Sequence, residues 1–382
     1  MKRGFRIMDS DFHLMEPDDL WDRYLEEEWR PLAPKVSRRS ESAIAGSRMV
    51  VQGKTLAAPA EPGTVIASSH ALEARTLERS PHYRLARERG FDPETHLMAM
   101  DIEGVDVGIL YATRGRHILM NDDLEPAYAA AICRAYNNWT YDYVQHNPDR
   151  LKIAAEVPFQ DAERAAEEAR RAVTELGAVA VVGIPNPVNG RHLHDACYDP
   201  LWAEIERLGV PVGFHPTTVS ALRDDVARRF VGHPAYDPLS HACRFPMENM
   251  LALASMIVGG VFERFPRLRA AFLESTCGWL PWWLERLDDQ WDKFGAGCGV
   301  TLSARPSEYF FRNCYIATDP EEEQLRVVID QIGDDRIVLS TDYPHLDGLF
   351  PDAIDTFLAL PGLSDESRRK ILWDNCARLY GQ

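Results

Sequence analysis

Asp11, His13, His215 and Asp342 combine two imidazoles and two carboxylates, the donor types that hold zinc, manganese or iron(II). Asp11 and His13 are two residues apart, so on an extended strand both side chains leave by one face. Each residue is ordinary by itself. A D-x-H triplet is short enough to arise by chance, and a lone buried histidine usually completes a hydrogen bond in the core. What distinguishes these residues is that each ends an apolar run: Asp9-Ser10-Asp11-Phe12-His13, Gly213-Phe214-His215-Pro216 and Ser340-Thr341-Asp342-Tyr343-Pro344-His345. Glu274 stands in the same place in Leu273-Glu274-Ser275.

The elements that must carry these residues are legible. Eight short β-rich apolar runs occur at 5–13, 105–112, 151–158, 178–185, 211–216, 268–275, 314–319 and 336–345, most of them followed by an amphipathic segment. The runs are nearly continuous in apolar residues, as strands buried on both faces of a parallel sheet must be. AERAAEEARRAVTELG and YDPLWAEIERLG have helical spacing and end at Gly177 and Gly209, natural stops directly before the next strand. The expected fold is α/β, a (β/α)8 TIM barrel, whose chemistry sits at the C-terminal ends of its strands. Asp11 and His13 would then come from the first strand, His215 from the fifth, Glu274 from the sixth and Asp342 from the eighth. They face one mouth.

Residues 17–99 break the rhythm with scattered Pro, Ser and charge. A barrel needs ~250 residues, so the 382 residues are read as one barrel domain, 1–382, with 17–99 as an insertion or cap after the first strand. A loop that starts at the catalytic face is expected to pack over the mouth and help form the substrate pocket.

Composition narrows the function classes. With 42 Lys plus Arg against 59 Asp plus Glu the formal charge is −17, and no basic run offsets it, which disfavours nucleic acid and anionic membranes as partners. No stretch reaches the ~20 apolar residues of a bilayer span, and the N-terminus lacks a secretory apolar core, so the cytoplasm is the expected location. The seven cysteines form no C-x-x-C pair and read as free thiols rather than a disulfide framework or zinc ribbon. No G-x-G-x-x-G or Walker pattern supports nucleotide binding.

Further polar residues lie near the same strand ends. Arg114 and Arg116 follow the second strand and suit a bidentate grip on a carboxylate, although exposed surface arginines are commoner. Asp319 ends the seventh strand but opens the run Asp319-Pro320-Glu321-Glu322-Glu323, read as a helix start. His241, placed ahead of a helix, is a catalytic or substrate contact or a plain loop residue. His345 borders the metal shell or stabilises its turn. Trp279 is the member of the tryptophan cluster after strand six expected to border a pocket, the others packing as core.

The blocks MDSDFHLMEPDDLW, GRHLHDACYDPLWAEIERLGVPVGFHP, IVGGVFERFPRLRAAFLESTCGWLPWWLERLD, DRIVLSTDYPHLDG and DNCARLYG resemble, in order and spacing, the amidohydrolase-related family of aminocarboxymuconate-semialdehyde and γ-resorcylate decarboxylases. The resemblance implies Asp11, His13, His215 and Asp342 as ligands of one divalent ion, zinc or manganese first and iron next. It implies a homo-oligomer, a dimer, and a small-molecule carboxylic acid as substrate. Where some members carry a sixth-strand histidine for proton transfer, this chain has Glu274, which leaves three roles open: general acid, extra ligand or structural acid. The fourth-strand lysine of binuclear hydrolases is absent from AVAVVGIP, so one metal is expected. The implied function is non-oxidative decarboxylation of an aromatic or unsaturated carboxylic acid, with Asp342, Glu274 and His241 as catalytic candidates and Arg114, Trp279 and His345 as substrate contacts. The alternative is hydrolysis of an amide, ester or lactone by metal-activated water. A non-catalytic binding barrel is the third reading, disfavoured by the joint presence of the four ligands.

Overall fold

The computed structural model describes residues 1–38, 47–56 and 64–382. Its strands in chain order are β1 (Met8–Leu14), β2 (Lys35–Arg38), β3 (Ser47–Val51), β4 (Lys54–Leu56), β5 (Val107–Ala112), β6 (Leu151–Ala155), β7 (Ala180–Gly183), β8 (Pro211–Phe214), β9 (Arg269–Phe272), β10 (Cys314–Thr318) and β11 (Ile337–Leu339). Eight of them form one parallel sheet in the order β1-β5-β6-β7-β8-β9-β10-β11. Backbone bonds cross its seam: the His13 amide donates to the Tyr343 carbonyl at 2.7 Å and the Asp342 amide to the Asp11 carbonyl at 3.2 Å. The sheet is thus a nearly closed (β/α)8 barrel, and each of the eight apolar runs overlaps one of its strands, the first strand passing its run by one residue, Leu14. The last strand is shorter than its run, Ile337–Leu339 against 336–345, because from Ser340 onward the chain leaves the sheet as the turn that carries Asp342.

Side-chain alternation divides the core into two layers. Along β5, Val107, Ile109 and Tyr111 belong to the small cluster inside the barrel with Met8, Val182 and Val338, while Leu110 and Ala112 join the larger cluster between sheet and helices. Period-two alternation with both faces buried explains the continuous apolar runs. The helices that cover the sheet end as their sequences require. Gly177 and Gly209 adopt left-handed φ of 74° and 70° after Ala162–Leu176 and Asp199–Leu208, and Asp161 caps the first of these helices by accepting from the Glu163 and Arg164 amides.

Between β1 and β5 lie a short helix (Leu20–Tyr24), the antiparallel sheet β2-β3-β4, and the helices Thr64–Arg79, Pro81–Glu88 and Pro93–Glu103. No sustained apolar period marks these helices in the sequence; the available signals are local, Ser80 and Asp92 each capping a helix that opens on proline. This segment reaches the strand-eight turn: the Tyr83 hydroxyl donates to the Pro344 carbonyl at 2.6 Å, and Arg79 pairs with Asp352 at 3.1 Å. Residues 39–46 and 57–63 of the expected insertion lie outside the described residues. Among the described residues no helix is long and apolar enough to cross a membrane.

One glycine shows how tightly the interior supports the mouth. A Cβ on Gly213 would lie 2.3 Å from the Tyr111 hydroxyl, and the Tyr111 ring stacks on His215 at 5.6 Å between centroids. Gly213→Ala is therefore expected to lower stability by ~1–3 kcal/mol through overpacking, and the same substitution in a Tyr111→Phe background to cost less, because the clashing hydroxyl is gone. Chemical denaturation of the four proteins reads both; an unchanged midpoint for Gly213→Ala would contradict the close approach.

Candidate metal centre

The first strand places its two ligand candidates through a register shift against β5 between Asp9 and Phe12. His13 Nε2 and His215 Nε2 lie 2.9 Å apart, and Asp11 Oδ1 is 3.4 Å from the first and 3.3 Å from the second. Asp342 Oδ1 approaches His13 Nε2 to 3.3 Å, and Glu274 Oε2 approaches His215 Nε2 to 3.1 Å. Asp11, His13 and His215 are buried, whereas the side chains of Asp342 and Glu274 are 16% and 18% exposed, so the cluster is closed from below and open toward the mouth. Both of these carboxylates sit on left-handed backbone, φ 59° at Asp342 and 47° at Glu274, a conformation that non-glycine residues hold only when their surroundings enforce it. The turn that follows Glu274 is held by Glu322, which accepts from the Cys277 and Gly278 amides at 2.9 and 2.7 Å and from the Thr318 hydroxyl at 2.9 Å.

The donor set fits a divalent cation. His215 Nδ1 is 2.6 Å from the Pro216 carbonyl, which only accepts, so that nitrogen carries the proton and Nε2 turns a lone pair into the cluster. Asp11 Oδ1 is buried there without a hydrogen-bond partner among the described residues. Burial pushes the Asp11 carboxyl up, but the imidazoles beside it, His215 foremost, outweigh that and hold it well below the usual range. Burial, reinforced by neighbouring carboxylates, drives Glu274 well above its usual value; burial also pushes Asp342 to about 7, with the adjacent His345 working against it. Nitrogen and carboxylate donors converge on one point, where a divalent cation would be held.

His345 belongs to the same cluster. Its Nδ1 is 2.7 Å from Asp342 Oδ1, its Nε2 is 3.0 Å from the Thr113 hydroxyl, and its ring lies 4.0 Å from that of His13. Burial lowers its pKa, but the Asp342 carboxylate outweighs burial and pushes it up to about 9. The Thr113 hydroxyl is also 3.2 Å from His13 Nδ1. Neither Thr113 nor Glu16 was singled out in the sequence, although Thr113 directly follows the second barrel strand, a place where a polar residue faces the mouth.

The remaining sequence candidates are more dispersed. Arg114 Nη1 is held by Asp18 at 2.9 Å, beside Thr113. Arg116 is buried: its Nη2 donates to the Gly183 carbonyl at 2.8 Å and also to the His215 carbonyl, and its Nη1 lies 3.6 Å from Glu156, which fastens the ends of β7 and β8. Trp279 donates to the Ser275 carbonyl at 2.9 Å, next to the Glu274 turn. His241 stands apart from the ligand cluster; it lies within the helix Tyr236–Val258 and not ahead of it, half-exposed, stacked on Phe245 and 3.9 Å from Asp347. The acidic run after β10 does not start a helix either. The next helix opens at Leu325 with no acid in its first turn, because Glu322 is turned to the amides at Cys277 and Gly278. Asp319 is instead pushed well up by burial and by the neighbouring glutamates.

The amidohydrolase family profile matches residues 9–382. The chain is 30% identical over 267 residues to a gamma-resorcylate decarboxylase of Rhodococcus jostii, covering 66% of this chain and 77% of the relative. It is 26% identical over 310 residues to the 2-amino-3-carboxymuconate-6-semialdehyde decarboxylase of Dictyostelium discoideum, covering 81% and 82%. Among solved structures, a dihydroxybenzoic acid decarboxylase from a Polaromonas species, with bound manganese and the inhibitor 2-nitroresorcinol, superposes with a TM-score of 0.68 at 21% identity, covering 99% of this chain and 97% of that one. With a barrel of the expected topology and a family match over nearly its whole length, the chain belongs to the amidohydrolase family.

Proposed function

We propose that this chain is a metal-dependent non-oxidative decarboxylase of an aromatic or unsaturated carboxylic acid, using one divalent ion held by Asp11, His13, His215 and Asp342. The observation that carries the reading is the convergence of His13 Nε2, His215 Nε2 and Asp11 Oδ1 within 2.9–3.4 Å of one another, with Asp342 Oδ1 beside them. The names of the relatives, decarboxylases of resorcylate and of a carboxymuconate semialdehyde, support the reaction class. Manganese is the ion to test first because the related Polaromonas structure holds it.

When bound, a divalent ion supplies a Lewis acid that draws electron density from substrate oxygens. The residues of this chain do the rest. Asp342, between His13 Nε2 and His345 Nδ1, delivers a proton from its carboxyl to the carbon that bears the substrate carboxylate. The carbon–carbon bond then breaks, its electron pair returns to the unsaturated system, and carbon dioxide leaves. His345, 2.7 Å away, returns a proton to Asp342. Glu274 holds its place beside His215 at the open side. Arg114, whose Nε is buried without a hydrogen-bond partner among the described residues, and Trp279 border the substrate.

The segment 17–99 is read as the cap of this pocket, on the strength of the Tyr83 contact with the strand-eight turn at Pro344. Pairing of two copies, implied by the family resemblance, finds support in Met247, Leu251 and Trp282, apolar side chains left 44%, 54% and 57% exposed on the neighbouring helices Tyr236–Val258 and Leu280–Phe294. Seven free cysteines suit the reducing cytoplasm.

Purified protein incubated with Mn²⁺ and a panel of hydroxybenzoates and unsaturated acids is expected to release carbon dioxide, and to stop when a chelator removes the ion. Hydrolysis of ester or lactone analogues without such release would favour the hydrolase instead. His215→Ala is expected to lose metal and turnover together, with the barrel still folded by circular dichroism. Asp342→Asn, at matched metal content, is expected to lose turnover by ~10²–10⁴-fold, whereas Glu274→Gln retains measurable turnover. The reverse order would move the acid role to Glu274.

A further inference from the structure

We propose that Thr113 is a positioning residue that holds the His13 ring with Nε2 toward the centre, by bridging His13 Nδ1 to His345 Nε2 with a single hydroxyl. The proposal rests on the reading of His13 as a metal ligand. A neutral imidazole has one proton, so its two nitrogens take opposite roles. For His13 Nε2 to offer a lone pair to a cation, the proton must sit on Nδ1, and the group facing Nδ1 is the Thr113 hydroxyl at 3.2 Å. The same hydroxyl lies 3.0 Å from His345 Nε2, and its two lone pairs let it bond to both rings at once. On its other side His345 Nδ1 lies 2.7 Å from Asp342 Oδ1, so the bridge joins His13 to the Asp342 side of the cluster.

Local structure shows why the hydroxyl is free for this work. Thr113 precedes the helix Arg114–Leu119, where a threonine ordinarily bonds the first amides of the helix, yet it makes no such cap. The buried carboxylate of Glu16 takes those amides instead, accepting from Thr113 N at 3.1 Å, Arg114 N at 2.8 Å and Gly115 N at 2.8 Å. Glu16 thereby holds the turn and releases the Thr113 side chain toward the two histidines. The two imidazoles of the centre are oriented by different means: His215 by a carbonyl that only accepts, and His13 by a hydroxyl it shares with His345.

Titration with Mn²⁺, counting the free ion by its aqueous EPR signal, tests the assignment without reference to turnover. Wild type, Thr113→Val, Thr113→Ser and His215→Ala are compared, with denaturation of the metal-free proteins as a check on folding. Valine keeps the shape and loses the bridge, so Thr113→Val is expected to bind Mn²⁺ ~10–100-fold more weakly. Thr113→Ser, which keeps the hydroxyl, is expected to recover most of the affinity. Wild-type affinity in Thr113→Val, while His215→Ala binds none, would overturn the role of Thr113 alone; so would an equal loss in Thr113→Ser, which would mark a packing effect. Failure of the wild type itself to bind would overturn the metal reading instead.

Discussion

Closure of the parallel sheet is the constraint on which the candidate centre depends. Asp11 and Asp342 are far apart in sequence, yet the barrel makes their backbones hydrogen-bonding neighbours, the Asp342 amide donating to the Asp11 carbonyl at 3.2 Å and the His13 amide to the Tyr343 carbonyl at 2.7 Å. These two bonds join the sheet and also fix the separation of carboxylates and imidazole across the seam. In an open sheet of the same strands the first and eighth would be opposite edges. The chemistry is therefore a consequence of topology, and a loss of closure separates Asp342 from Asp11 and His13.

A donor set of this kind works against stability. Carboxylates taken out of water cost several kcal/mol each when uncompensated, and Asp342 and Glu274 are held on left-handed backbone besides. The surroundings offset this with groups that have no chemistry of their own. Glu322 holds the Glu274 turn, Arg116 ties the β7 and β8 ends under His215, and Glu16 holds the turn at Thr113. Ligands fixed in this way lose little freedom when a cation arrives, which is what makes a loose cluster of donors into a site.

Sequence reading recovered the part of this arrangement that follows from period and position. Eight continuous apolar runs located eight barrel strands, and polar residues at their C-terminal ends located Asp11, His13, His215, Glu274 and Asp342, which the structure brings together. Supporting contacts were not legible because they are bonds between a side chain and a distant backbone, with no periodic trace: Glu16 and the Thr113 amide are 97 residues apart, Glu322 and the Cys277 amide 45. The placements of His241 ahead of a helix and of Asp319-Glu323 at a helix start differ from the structure for another reason. Local rules place a histidine near a loop and acids before a helix, whereas His241 lies inside a long helix and Glu322 is drawn to another turn.

Burial of a histidine is not enough to make it a ligand, and His96 shows the difference. It is as buried as His13, both its nitrogens lack a partner among the described residues, and burial depresses its pKa to about 3. Its neighbours are the rings of Phe12, Tyr143 and Tyr343, which keep it neutral and offer no second donor. His13 differs by one position along β1 from Phe12, the residue His96 packs against, and alternation sends its ring to the mouth, where Asp11, Asp342 and Thr113 supply anion and hydroxyl. What separates a core histidine from a candidate ligand here is the face of one strand, and that face is set by the register of β1 in the closed sheet.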